Sequence, residues 1–158
     1  MLKSIWEKIC HIDHVDVAVV GAGVIGCSIA NKLSETGIKV VVFDSGKTGG
    51  GASSKNDGQI IQSAPEHYNR MVETYGRDKA KRLMQFRALS VKQTTHKDRK
   101  VGSCTWAYNI TEKADLLESY AMLREDGFNV QLINDPRSIK HYSGSHRFKV
   151  GLYFPQDI

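Results

Sequence analysis

A chain of 158 residues, 41% apolar and 25% charged, has room for one ordinary domain and the start of a second. Its formal charge of +5 is mildly basic and gives no reason to expect a nucleic-acid partner. No stretch approaches the roughly 18 consecutive apolar residues of a membrane span, and the charge-broken start has no secretory core. Cys10, Cys27 and Cys104 are too widely spaced for a zinc pattern, and a reducing, cytoplasmic setting is expected.

Residues 1–12 read as a leader, with Ile5, Trp6 and Ile9 on one side of an amphipathic turn. Asp16–Val20 is an apolar, β-branched run that suits a buried parallel strand. Val24–Ser34 reads as a helix, because Ile25, Ile29, Ala30 and Leu33 recur at helical spacing and Gly37 is placed to end it. Ile38–Phe43 is a second buried strand. The two strands are expected to lie side by side and parallel, joined by a right-handed crossover.

Residues 45–59 are dense in glycine and polar residues, and a loop of that length in a compact domain is usually functional or mobile. A long helix is predicted from about Asp78 to Lys97, with Ala80, Leu83, Met84 and Val91 on one arc. Residues 77–100 carry nine basic residues against two acidic ones, which reads as a solvated helix face in preference to a nucleic-acid or anionic-membrane patch. Arg87 falls inside the apolar arc and is expected to snorkel; a buried partner or a substrate carboxylate is the alternative. Further on, Gly102–Thr111 reads as a strand, Ala114–Glu125 as a helix closed by Gly127, and Phe128–Ile133 as a strand. Asp135-Pro136 opens a short helix through Tyr142, and Val150–Phe154 is a last strand.

Gly21-Ala22-Gly23-Val24-Ile25-Gly26 is a G-x-G-x-x-G run. Its context gives it weight: it follows one predicted strand, opens a predicted helix, and is followed 23 residues after Gly21 by Asp44 at the end of the next strand. Gly21 permits the tight turn, Gly23 lets a pyrophosphate lie against the backbone, and Gly26 allows helix and strand to pack closely. The helix's first N–H groups and its dipole favour phosphate. The Asp44 carboxylate suits a ribose hydroxyl and would repel a 2′-phosphate, which argues against NADP. The plainer alternative is a glycine-rich turn of an unrelated α/β protein. Cys27, in the first turn of this helix, reads as a small core residue, or as a thiol whose pKa the helix lowers. His11 and His14 have no further metal ligands near them in sequence.

Asp16–Gly26, Val40–Asp44 and Gly51-Ala52-Ser53-Ser54-Lys55-Asn56-Asp57-Gly58 together resemble the opening of the D-amino-acid-oxidase-like FAD-dependent oxidoreductases. Ser103–Trp106, Leu116–Gly127 and Gly151–Pro155 resemble early elements of that family's substrate domain. The resemblance implies an α/β fold: a Rossmann-like FAD-binding βαβ unit followed by the beginning of an α+β substrate domain. It implies an FAD-binding segment over residues 13–102 and a substrate-domain segment over 103–158. Gly21, Gly23, Val24, Ile25 and Gly26 would then face the FAD pyrophosphate. Asp44 and Ser45 would face the adenosine ribose, and Ala52, Ser53, Lys55, Asn56, Gly58 and Gln59 would follow the pyrophosphate, ribityl chain and isoalloxazine edge.

Lys55 stands where a subset of the family carries a histidine bonded to the flavin, so non-covalent FAD is expected. Asp57 replaces a commonly small residue and adds negative charge. The implied reaction is hydride transfer from the amine-bearing carbon of an amine or amino acid to flavin. Family members are several hundred residues long, so this chain is expected to be a fragment, a truncated product or one part of a split enzyme, acting with a completing segment or subunit. Two other readings stay open: a non-catalytic nucleotide-binding module, and an NAD-dependent dehydrogenase, which the second glycine loop disfavours.

Overall fold

The computed structural model describes residues 14–93 and 101–158. The expected leader and the last four residues of the helix predicted to reach Lys97 lie outside the described residues. The chain divides into two compact units at Gly58/Gln59, and the boundary expected at residue 103 falls inside the second of them.

The first unit is strand, helix, strand. β1 (Val17–Val20) pairs in parallel with β2 (Val40–Phe43), Val17 opposite Val40 and Val20 opposite Phe43. α1 (Val24–Ser34) makes the crossover. Both strands start slightly later than expected. Asp16 is consumed instead in a clasp on Lys39: its N–H donates to the Lys39 carbonyl at 3.0 Å and its carboxylate accepts the Lys39 N–H at 2.9 Å. α1 ends at a turn closed by Gly37 in the left-handed region, φ +81°, as its position suggested.

The strands are not buried as expected. Among the described residues of this unit only Ala22 is buried, while Val20 is 88% exposed and Ile25 74%. The reason is geometric: strand side chains leave through the faces of a sheet, and within this unit the one helix that packs on the pair is α1, which cannot cover both faces. Cys27 is likewise exposed, not a core residue; its thiol points to the Ala22 carbonyl at 3.5 Å.

The second unit holds a three-stranded antiparallel sheet in the order β3 (Ser103–Ala107), β5 (Val150–Phe154), β4 (Gln131–Ile133). The central strand pairs Thr105 with Leu152 on one side and Leu132 with Leu152 on the other. A Cβ on Gly151 would lie 2.5 Å from the Trp106 ring, so glycine here is what lets the indole cross the central strand. Helices α2 (Tyr68–Tyr75), α3 (Arg77–Gln93) and α4 (Ile110–Glu125) pack with the sheet around Tyr68, Met71, Met84, Leu116, Leu123 and Phe154. α5 (Pro136–Ser143) is capped as expected, with the Asp135 carboxylate accepting the N–H groups of Arg137 and Ser138 and Pro136 in the first turn.

Several sequence expectations are corrected in this unit. α2 was not expected; eight residues with a single buried pair, Tyr68 and Met71, carry too little periodic signal to stand out. α4 starts at Ile110, not Ala114, because Asn109 accepts the Glu112 N–H at 2.8 Å while Glu112 accepts the Tyr108 N–H at 2.6 Å. That start ends β3 at Ala107, short of Thr111. β4 is confined to Gln131–Ile133 because Gly127 and Phe128 donate to the Arg124 and Leu123 carbonyls and so close α4. Leu83, placed on the apolar arc, is 42% exposed.

Arg87 does not snorkel to water. Its Nε donates to the Gln62 carbonyl at 2.8 Å and its Nη2 to the carbonyls of Ser63 and Ile61. The basic surface of α3 is partly paired: Arg77 meets Glu125 and Asp126, and Lys81 meets Asp126.

Candidate cofactor site

The glycine run forms the turn between β1 and α1. Gly21 is at φ +105°, a conformation that a side chain would strain, and its N–H donates to the Phe43 carbonyl at 2.6 Å. A Cβ on Gly26 would fall 1.8 Å from the Gly21 carbonyl oxygen, so α1 can leave the strand at this angle only with glycine there. Gly23 is the N-cap of α1 and offers no side-chain cap of its own. The N-terminus of an eleven-residue helix therefore presents main-chain donors with no carboxylate in its first turn.

One of those donors is met from far along the chain. The Ser53 hydroxyl accepts the Val24 N–H at 2.9 Å. Ser53 belongs to a single 3-10 turn, Ala52–Ser54, whose shape Asn56 maintains: its Nδ2 donates to the Ala52 and Ser53 carbonyls and its Oδ1 accepts the Gly58 N–H at 2.8 Å. A Cβ on Gly23 would meet the Ser53 hydroxyl at 3.0 Å, so the two glycine-rich segments face each other across a space a side chain would fill.

Asp44 closes the other side. Its carboxylate accepts the Ala22 N–H at 2.7 Å and the Gly46 N–H at 2.8 Å. Those two donors, Ala22 first, hold it below the usual carboxylate range, so it is ionised at neutral pH. A second tie was not foreseen: the Gly49 N–H donates to the Ala22 carbonyl at 2.8 Å, with Gly49 at φ +71°. Ala22 is thus held through both its N–H and its C=O. The only hint in the sequence was glycine density, which does not say which glycine reaches back.

The turn, the α1 N-terminus and the 3-10 turn enclose an open cleft of about 580 Å³. Gly21, Gly23, Val24, Ile25 and Gly26 line it, together with Ala52, Ser53 and Asn56. Of the expected site residues, Asp44, Ser45, Lys55 and Gly58 do not line that cleft; Asp44 reaches the turn through Ala22, and Lys55 is the residue that closes the 3-10 turn. Gln59 opens the second unit. Cys104 sits in β3, where burial pushes its thiol up to about 12, so it stays protonated and is no nucleophile.

The family of FAD dependent oxidoreductases matches residues 16–158. The chain belongs to that family. It is 31% identical over 157 residues to a probable oxidoreductase, OrdL, of Haemophilus influenzae, covering 94% of this chain and 36% of that protein. Over 68 residues it is 41% identical to the γ-glutamylputrescine oxidoreductase of Escherichia coli, covering 43% of this chain and 16% of the relative. Glycine oxidase from Geobacillus kaustophilus superposes with a TM-score of 0.63 at 26% identity, over 90% of this chain and 40% of that one. L-amino acid deaminase from Proteus vulgaris shares the fold, with a TM-score of 0.63 at 21% identity over 91% of this chain and 34% of the other. The chain of this FAD dependent oxidoreductase therefore spans little more than a third of the lengths of these relatives, the short γ-glutamylputrescine oxidoreductase match apart. Among the described residues no helix is long and apolar enough to cross a membrane.

The residues present fit FAD at the pyrophosphate. Gly23 puts no side chain into the cleft, the α1 N-terminus has a favourable dipole and no carboxylate in its first turn, and the Ser53 hydroxyl, which takes the Val24 N–H, lines the same cleft.

Proposed function

We propose that this chain is the N-terminal, FAD-binding part of an oxidoreductase that acts on an amine or amino acid. One observation carries the reading: the Gly21–Gly26 turn presents the N-terminus of α1, with no carboxylate in its first turn, to an open cleft that Ala52, Ser53 and Asn56 also line. The substrate class is supported by relatives named for glycine, L-amino acids and γ-glutamylputrescine. FAD, when bound, would supply the chemistry, accepting a hydride from the carbon that bears the amine.

In this reading the chain's own residues bind and orient. Main-chain donors at Gly23–Gly26, apart from the Val24 N–H that Ser53 takes, hold the diphosphate, assisted by the helix dipole. The Asp44 carboxylate, already ionised and fixed by Ala22 and Gly46, keeps lone pairs for ribose hydroxyls and repels a 2′-phosphate. Ser45 flanks the adenosine side. Ala52, Ser53, Lys55, Asn56, Gly58 and Gln59 follow the cofactor toward its ring, and Lys55 leaves the flavin non-covalently bound.

We further propose that turnover needs polypeptide beyond these 158 residues, a completing segment or subunit, since the chain spans 34% to 40% of the relatives named above that match nearly all of it. An incompletely enclosed flavin gains little from orientation and water exclusion. A second reading, nucleotide binding without catalysis, is favoured by the exposure of Val20, Val24 and Ile25 around the turn, which leaves the site open as it stands.

Titration of the chain with FAD, NAD and NADP, followed by flavin or nicotinamide fluorescence, tests the cofactor. FAD is expected to bind most tightly, and a preference for NADP overturns the reading. Peroxide release or dye reduction, measured with a panel of amino acids, sarcosine and polyamines, separates the two functional readings. Turnover is expected only when the downstream polypeptide is supplied; binding without turnover in both preparations would favour the non-catalytic module.

A further inference from the structure

Asp157 is a carboxylate with 0% of its surface exposed, and nothing in the proposed cofactor site uses it. Its Oδ1 accepts the main-chain N–H of Gln62 at 3.0 Å, and its Oδ2 accepts the Ser103 hydroxyl at 2.5 Å. Its own carbonyl accepts the Gly102 N–H at 3.0 Å. The next residue, Ile158, exchanges both main-chain hydrogen bonds with Ile60, at 2.9 and 3.0 Å. From α3, Arg87 takes the carbonyls of Ile61, Gln62 and Ser63. Ile158 and Asp157 therefore take the N–H groups of Ile60 and Gln62, and Ile158 and Arg87 take the carbonyls from Ile60 to Ser63. Gln62 is held through both its N–H and its carbonyl.

Burying the Asp157 carboxylate, with the Arg87 guanidinium half-buried near the same segment, is a costly way to pack a chain, since apolar contacts of the same volume stabilise at least as well. What the pair adds is direction. Each carboxylate oxygen and each guanidinium N–H fixes one named peptide group, which apolar contact does not do. The stretch so fixed begins immediately after Gly58, at φ +73°, and Gln59. Gln59 is the last residue to which a cofactor role is given above.

We propose that Asp157 and Arg87 are positioning residues: together they set the path of Ile60–Ser63 and thereby the place of Gln59. This rests on the FAD reading. Neither residue touches the cofactor in this proposal; both act through the main chain between them.

The test uses the 158-residue chain and three variants, Asp157→Asn, Arg87→Lys and Ser103→Ala, with Gln59→Ala as a reference. Amide hydrogen exchange is read residue by residue, FAD affinity by flavin fluorescence, and the fold by thermal melting. In Asp157→Asn and Arg87→Lys, exchange at Ile60 and Gln62 is expected to rise about tenfold or more while the strands of the three-stranded sheet stay protected. FAD affinity is expected to fall about fivefold in the same two variants. Gln59→Ala should weaken FAD without changing exchange at Ile60 and Gln62. Should Asp157→Asn fail to fold, Arg87→Lys and Ser103→Ala each remove one arm of the grip and carry the same readouts. Unchanged exchange at Ile60–Ser63 overturns the proposal, as does faster exchange with unchanged FAD affinity. Failure of the wild-type chain to bind FAD overturns the cofactor reading instead, and exchange at Ile60 and Gln62 then decides whether the two residues hold the segment.

Discussion

The hydroxyl of Ser53 accepts the main-chain N–H of Val24 at 2.9 Å, across 29 residues of chain. It does for α1 what an N-cap serine does locally, because Gly23, the cap by position, has no side chain to offer. Ser53→Ala is expected to cost about 0.5–2 kcal/mol of stability, the usual worth of such a cap. It should also weaken FAD, because the loop that faces the glycine turn loses its anchor. Thermal melting and FAD titration of the same preparation check both. A variant that melts like the wild type would show the bond to be without weight.

Gly26 and Gly23 fail differently on substitution. At Gly26 a Cβ meets a main-chain carbonyl at 1.8 Å, which cannot move without shifting β1. Gly26→Ala should therefore destabilise by about 1–3 kcal/mol and abolish FAD binding. At Gly23 the obstacle is the Ser53 hydroxyl at 3.0 Å, the end of a rotatable side chain. Gly23→Ala should fold nearly as well as the wild type and still bind FAD at least about tenfold more weakly, because the methyl stands where the diphosphate would lie. Urea unfolding together with FAD titration separates the two cases.

Asp44 should decide the choice of dinucleotide. Its carboxylate is held ionised by the N–H groups of Ala22 and Gly46. Asp44→Asn keeps one acceptor and puts an amide group against the second donor. FAD affinity is expected to drop and discrimination against NADP to narrow, both read by competition titration. Protonating the wild-type residue should act in the same direction, so FAD affinity is expected to fall as pH drops through the lowered value.

The acid limb of stability follows from the carboxyl groups. Asp115 accepts from Arg70 at 2.6 Å and from Asn69 at 3.2 Å, and these hold its carboxyl below the ordinary range. Asp135 is lowered by Ser138 at the start of α5. Such a group binds its proton less tightly when folded than when unfolded. Its stabilisation is therefore complete above the unfolded pKa, about 4, and is lost as pH falls through the folded one. Asp157 runs the other way, because burial raises its pKa above the unfolded value. It favours the fold at acid pH and opposes it as pH rises through the raised pKa. Asp115→Asn should flatten the acid limb and Asp157→Asn should steepen it, both read as melting temperature against pH from 3 to 6.

The local pattern of residues 16–44 was enough to determine the βαβ unit and its glycine turn. Strand, G-x-G-x-x-G, helical periodicity, Gly37 and Asp44 are all short-range signals, and the structure has the parallel pair and crossover they call for. The same holds for α5, whose cap and proline are adjacent in sequence, and for β5, an apolar run between Lys149 and Pro155. Tertiary structure alone decided the rest. Whether a strand residue is buried depends on what covers its face of the sheet, so Val20 reads as core in sequence and is exposed in a pair on which one helix packs. That Ser53 caps α1, that Gly49 ties down Ala22, and that Asp157 and Arg87 grip Gln62 are contacts across 25 to 95 residues. Such contacts join polar groups one pair at a time and leave no periodicity behind, so only the folded chain shows which glycine, serine or arginine makes them.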